Sequence, residues 1–140
     1  MSKRKIEFFV VDAYISILKI EDYIKDKNDA NDLLYDYKSW DATIRELEIV
    51  GESIKHLIMQ DIFDNEKRKI VDFRNLLIHE YFGIDRDIVW DVLQNKIPFL
   101  KEELRKIILQ FSNKKEILNF FIEDNYFISF IVDELERLKE

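Results

Sequence analysis

Only two glycines and one proline occur in 140 residues, and this scarcity constrains the fold more than any other feature. A sheet of many short strands needs glycine, proline, asparagine or aspartate at its tight reversals. A chain so poor in glycine and proline suits a small number of long helices. Hydrophobic residues make up 47% and charged residues 36%, enough of both to give each helix a buried and a solvated face. At this length a single domain can build its own core, and residues 1–140 read as one domain. Cysteine is absent, which suits a reducing compartment and removes zinc-finger, iron–sulfur and thiol-nucleophile chemistry. His56 and His79 lie far apart among scattered carboxylates, so no metal site and no cofactor are expected. The start, Met1 to Lys5, is basic, but Glu7 and Asp12 interrupt the apolar residues behind it. Neither a signal peptide nor a membrane span is readable, and a cytoplasmic protein is the expectation.

The hydrophobic spacing gives about five helices in an all-α bundle with an antiparallel core. Ile6, Phe9, Val10, Ala13, Ile17, Ile20 and Ile24 recur at steps of three and four within a first helix over about Lys3–Lys27. Asn28 to Asp32 reads as a connection or cap. A second helix carries Trp40, Ile44, Leu47, Gly51, Ile54 and Ile58 on one seam. Gly51 costs about 1 kcal/mol there relative to alanine, so close approach of another helix or a ligand is expected. After a break at Asp61 to Asn65, a third helix holds Ile70, Phe73 and Leu77, with Gly83 as its natural stop. A fourth starts near Asp85 as N-cap, and Pro98 should kink or restart it. Asn113 with Glu116 can form a capping box ahead of a last helix running to about Lys139. Phe120, Phe121, Tyr126, Phe127 and Phe130 on that helix are expected to complete the core, with a partner contact as the lesser alternative.

Chemistry concentrates in Arg74-Asn75-Leu76-Leu77-Ile78-His79-Glu80-Tyr81. Arginine can hold a phosphate charge, histidine can move a proton near neutral pH, and tyrosine offers a hydroxyl. On a continuous helix Arg74 and Tyr81 share a face, while His79 lies about 140° around from Arg74 and about 7.5 Å along the axis. The residues alone leave plainer roles open: a histidine meeting a helix C-terminal dipole, and an arginine–glutamate surface pair. His56 reads as a helix-surface residue, and Ser16, Ser39, Ser53, Ser112 and Ser129 lack the elbow glycines of a serine nucleophile. The net charge of −7 excludes nucleic-acid binding through a generally basic surface and requires a local positive cleft.

The Arg-x4-His-x-Tyr spacing of Arg74, His79 and Tyr81 resembles the signature of the HEPN superfamily, and its surroundings resemble the HepT branch. Ile44 to Ser53, with Gly51-Glu52 near its end, resembles that branch's arginine-led helix closing in Ile-Gly-Glu-Ala. Phe73 to Asp85 resembles its Arg-Asn-x3-His-x-Tyr core. Ile88-Val89-Trp90 and Ile97-Pro98-Phe99-Leu100 resemble the elements that follow, and order and spacing agree over roughly residues 6–110. The segment 113–140, the C-terminal aromatic helix, lies beyond the resemblance.

The resemblance implies a metal-independent ribonuclease that acts as the toxin of a toxin–antitoxin pair. His79 is then the general acid–base and Arg74 the stabiliser of the phosphorane-like transition state. Asn75 would position substrate or orient His79. Lys67, Arg68 and Lys69 would supply a phosphate-binding rim, or else form a solvated helix start. Gly51 and Glu52 pack near the site. A homodimer would bring two motif helices to one composite cleft. An MntA-type nucleotidyltransferase antitoxin would transfer AMP from ATP to Tyr81, whose other role is to order the site through its hydroxyl. The alternative function is a non-catalytic HEPN module that docks a nucleotidyltransferase.

Overall fold

A computed structural model describes residues 4–79 and 83–140. The described chain is all-α, with no strand among the described residues. Helix α1 spans Ile6–Ile24, α2 Ala30–Tyr35, α3 Tyr37–Met59 and α4 Arg68–His79. Helix α5 spans Arg86–Asn95, α6 Ile97–Leu109, α7 Lys114–Asp124 and α8 Ser129–Lys139. A 3-10 turn, Asn65–Lys67, leads into α4. No helix among the described residues is long and apolar enough to cross a membrane.

The first and longest helices form the spine. Helix α1 packs along α3, α3 along α4, and α6 closes against α1. The apolar stripe of α1 (Val10, Ala13, Tyr14, Ile17, Ile20) is buried against Leu47, Val50, Ile54 and Leu57 of α3. Removing the valine, leucine and isoleucine side chains from water stabilises the pair by about 1.5–3 kcal/mol each. Tyr14 is fully buried and its hydroxyl has no hydrogen-bond partner among the described residues. Burial pushes its phenol well above the ordinary tyrosine range.

Among the described residues there are eight α-helices rather than about five, because segments that read as continuous or as loop are divided near Asp29, Asp36, Pro98 and Asn125. Asp29 accepts from the backbone N–H of Asp32 and starts the six-residue α2 within what reads as a connection. Asp36 accepts from Ser39 N–H, pairs with Lys27 at 2.9 Å and starts α3. Pro98 restarts rather than kinks the chain: α5 ends at Asn95 and Pro98 occupies the first turn of α6. The Asn113–Glu116 capping box does not form. Asn113 makes no side-chain cap bond, and its Nδ2 instead lies 3.4 Å from Glu7 Oε2 on α1.

The expected last helix is two. Asn125 donates from Nδ2 to the carbonyl of Phe121 and ends α7, and α8 begins at Ser129. The turn between them carries Tyr126 and Phe127, 78% and 70% exposed, so these two do not complete the core. Phe121 does, at 2% exposure. Phe120 and Phe130 are also exposed and do not complete the core either, although the Phe120 ring stacks on Phe8 at 4.8 Å.

Candidate active site on helix α4

Helix α4 is anchored by Val71 and Leu77, both buried, with Ile70 and Phe73 packed against the core. Its opposite face carries Arg68, Asp72, Asn75 and His79, all exposed. Steps of four, three and four put these four residues in one stripe along the helix. His79 closes the described part of α4, and Tyr81 lies outside the described residues.

Arg74 occupies the boundary between the buried and exposed faces. Its aliphatic stem lies directly on α3 at Gly51, where an added Cβ would overlap Arg74 Cβ and come within 2.6 Å of its Cγ. The expected close approach at Gly51 is therefore to a neighbouring helix, at Arg74. From this seat the guanidinium extends in two directions. Nη1 donates to Asn75 Oδ1 at 2.8 Å, and Nη2 approaches Glu52 Oε2 at 2.8 Å. Arg74 Nε and Glu52 Oε2 are nonetheless buried without a well-aligned hydrogen bond among the described residues. The Arg74–Glu52 contact is thus an ion pair in closeness but not in hydrogen-bond angle.

One turn along α3, His56 Nε2 stands 3.3 Å from the second Glu52 oxygen, Oε1. The His56 ring stacks on Phe9 of α1, with centroids 4.2 Å apart and planes 11° from parallel. His56 reads from the sequence as a surface residue, yet it belongs to the Arg74 cluster. The available signal was its i+4 spacing from Glu52 on one helix.

The structure separates some residues that the sequence groups together. It brings Gly51, Glu52, Arg74 and Asn75 into one cluster. His79, five residues past Arg74, sits about 140° around the same helix. Lys67, Arg68 and Lys69 diverge. Lys67 pairs with Glu103 at 3.0 Å, over the Phe63 ring, whereas Arg68 joins the exposed stripe. Lys67 and Lys69 line a cavity of about 590 Å³ between α3, α4, α5 and α6, walled by Ile70, Phe73 and Leu100. This cavity does not include Arg74, Asn75 or His79. Among the described residues, no three His, Asp or Glu side chains converge in a way that could hold a metal ion.

A family model described as Ribonuclease HepT-like matches residues 15–107. The chain belongs to the HepT-like ribonuclease family. A Methanocaldococcus jannaschii protein named provisionally as an RNase is 32% identical over 121 residues, covering 83% of this chain and 98% of that protein. Another from the same organism, named as a γ-glutamylcyclotransferase and provisionally as an RNase, is 39% identical over 76% of this chain. The chain spans about half of that larger relative, 49% of its length. A Thermococcus cleftensis protein named provisionally as ribonuclease HepT is 38% identical over 54% of this chain and 72% of its own. No solved structure matches the chain. The HepT-like match covers α2 to α5 in full, the second half of α1 and most of α6, and leaves α7 and α8 outside.

Proposed function

We propose that this HepT-like chain is a metal-independent RNA endonuclease and the toxin of a toxin–antitoxin pair. The observation that carries this reading is the seating of Arg74. Its stem is locked on Gly51 and its guanidinium is held at the edge of the exposed stripe that ends in His79. An arginine so fixed loses little freedom when it takes up a phosphate, which suits a transition-state role better than a mobile surface side chain.

The chemistry is an in-line transfer at phosphorus. A base removes the proton of the ribose 2′-hydroxyl, and the 2′-oxygen–phosphorus bond forms as the bond from phosphorus to the 5′-oxygen breaks. The departing 5′-oxygen takes a proton, leaving a 2′,3′-cyclic phosphate on one product and a 5′-hydroxyl on the other. His79 serves as general acid–base, Arg74 balances the added charge on the phosphorane, and Asn75 aligns the Arg74 end that meets the phosphate. Two copies pair with their α4 helices facing, so that Arg74, Asn75, His79 and Arg68 from both line one cleft. The guanidinium groups of Arg68 and Arg74 from both copies would meet phosphate there, with Asp72 of each copy in the same stripe. Control falls on Tyr81: a nucleotidyltransferase partner using ATP places AMP on its hydroxyl, and the adenylate blocks RNA by bulk and by competing for Arg74.

The test is expression of the chain alone in a bacterial host. Growth should stop with the wild type and continue with His79→Ala at equal protein level. Equal toxicity of the two would remove the nuclease reading.

A further inference from the structure

Arg74 is fastened by more than its own helix. On α3, Gly51 receives its stem, Glu52 meets its guanidinium, and His56 meets the far oxygen of Glu52. Phe9 of α1 in turn backs the His56 ring. The contacts run Phe9, His56, Glu52, Arg74, Asn75, and so tie three helices to one guanidinium. We propose that Glu52 is a positioning residue for Arg74 and that His56 acts through Glu52, together setting which edge of the guanidinium is presented to RNA. This rests on the reading that Arg74 serves phosphodiester cleavage.

The hydrogen inventory of the guanidinium gives the reason. Its five N–H bonds lie in one plane. One on Nη1 is used by Asn75, and Nη2 faces Glu52 at 2.8 Å. The Nε–H is buried, so no phosphate can reach it from solvent. Only the remaining hydrogens at the Nη1–Nη2 end are left for substrate, and Glu52 decides how that end is turned. Glu52 is itself 41% exposed in its side chain and would swing freely without a second hold. His56 supplies that hold, because stacking on Phe9 fixes the ring with Nε2 3.3 Å from Oε1. A contrasting role for Glu52 is a competitor that neutralises Arg74 and keeps phosphate away. The two roles differ in sign, since a competitor's removal raises activity.

Guanidinium rescue separates them. Arg74→Ala vacates the space above Gly51 beside the Glu52 carboxylate. Cleavage of a short RNA by the full-length protein is then measured with and without about 50 mM guanidinium chloride, far below denaturing levels. Arg74→Ala should lose about 100-fold or more in kcat, and guanidinium should restore about 10-fold of it. In Arg74→Ala/Glu52→Gln, which leaves no unpaired buried charge, the same salt should restore nothing. Two single variants extend the test. Glu52→Gln should lower kcat about 10-fold with KM changed less than about threefold. His56→Phe, which keeps a ring against Phe9, should lower kcat by about threefold or more. Equal rescue of Arg74→Ala and of the double variant would overturn the proposal, as would a Glu52→Gln protein that cuts as fast as wild type or faster. A wild-type protein that leaves RNA intact overturns the nuclease reading, and this one with it.

Discussion

At the scale of single residues, one missing methyl group sets the candidate site. Gly51 lets α4 approach α3 so closely that the Arg74 stem fills the space a Cβ would take. Gly51→Ala gains helix propensity but must push α4 away, and the second effect wins because the overlap is with the Cβ and Cγ nearest the α4 backbone rather than a flexible tip. The variant should lose about 1–3 kcal/mol in urea unfolding, and any that remains folded should lose RNA cleavage with Arg74 displaced. Unchanged stability together with unchanged activity would show that the contact carries neither. Tyr81 acts at the same scale, as the proposed switch. Incubating the chain with its nucleotidyltransferase partner and ATP should add mass in steps of one adenylate, and Tyr81→Phe should abolish the gain. A gain that survives in Tyr81→Phe would move the modification elsewhere.

At the scale of elements, helix ends decide how the bundle is divided. Asp36 caps α3 and pairs with Lys27, and these contacts hold its carboxyl down at about 2, below the ordinary 3.8. The hydrogen bond from Lys27 is the largest cause. A carboxyl lowered on folding stabilises the folded state above its unfolded value, and that contribution disappears as pH falls from about 3.8 through about 2. Urea midpoints measured down this range should decline in wild type, and Asp36→Asn should lack that part of the decline. Asp36→Ala should lower Tm by about 2–5 °C at neutral pH through loss of the cap. Coincident pH profiles for wild type and Asp36→Asn would remove the pair from the account.

Helix type and most starts were legible in the sequence, because a three-to-four spacing over nineteen residues in α1 or twenty-three in α3 has no competing period. The N-cap at Asp85 was legible for a local reason: its carboxylate reaches Asp87 and Ile88 N–H within one turn. The six-residue α2 was not, since it is too short to show a period. Nor was the break at Asn125, which depends on a side chain turning back to Phe121 rather than on any glycine or proline. In the site, Arg74, Asn75 and the close approach at Gly51 could be read from the chain. The membership of His56 was legible only in part: its i+4 spacing from Glu52 can be read from the chain, but its stacking on Phe9, forty-seven positions earlier on another helix, cannot.

At the scale of the whole molecule, acidic residues are frequent in the C-terminal helices. The stretch from Asn119 to Glu136 holds Glu123, Asp124, Asp133, Glu134 and Glu136 and no lysine or arginine. Glu134 and Glu136 are paired with Arg137 and Lys139 just beyond it, whereas on α4 Arg68 and His79 stand exposed in one stripe with Asp72. The HepT-like match ends at residue 107, before this acidic end begins. The central claim is that the α4 stripe cuts RNA through its own side chains, and the most direct measurement is the chemistry of the cut ends. Purified protein is incubated with a labelled RNA in excess EDTA and the termini are identified by mass. The account predicts 2′,3′-cyclic phosphate and 5′-hydroxyl ends from the wild type, and loss of at least about 100-fold in rate for both Arg74→Ala and His79→Ala. Products with 5′-phosphate ends, or cleavage that stops in EDTA, or full activity in either variant, would contradict it.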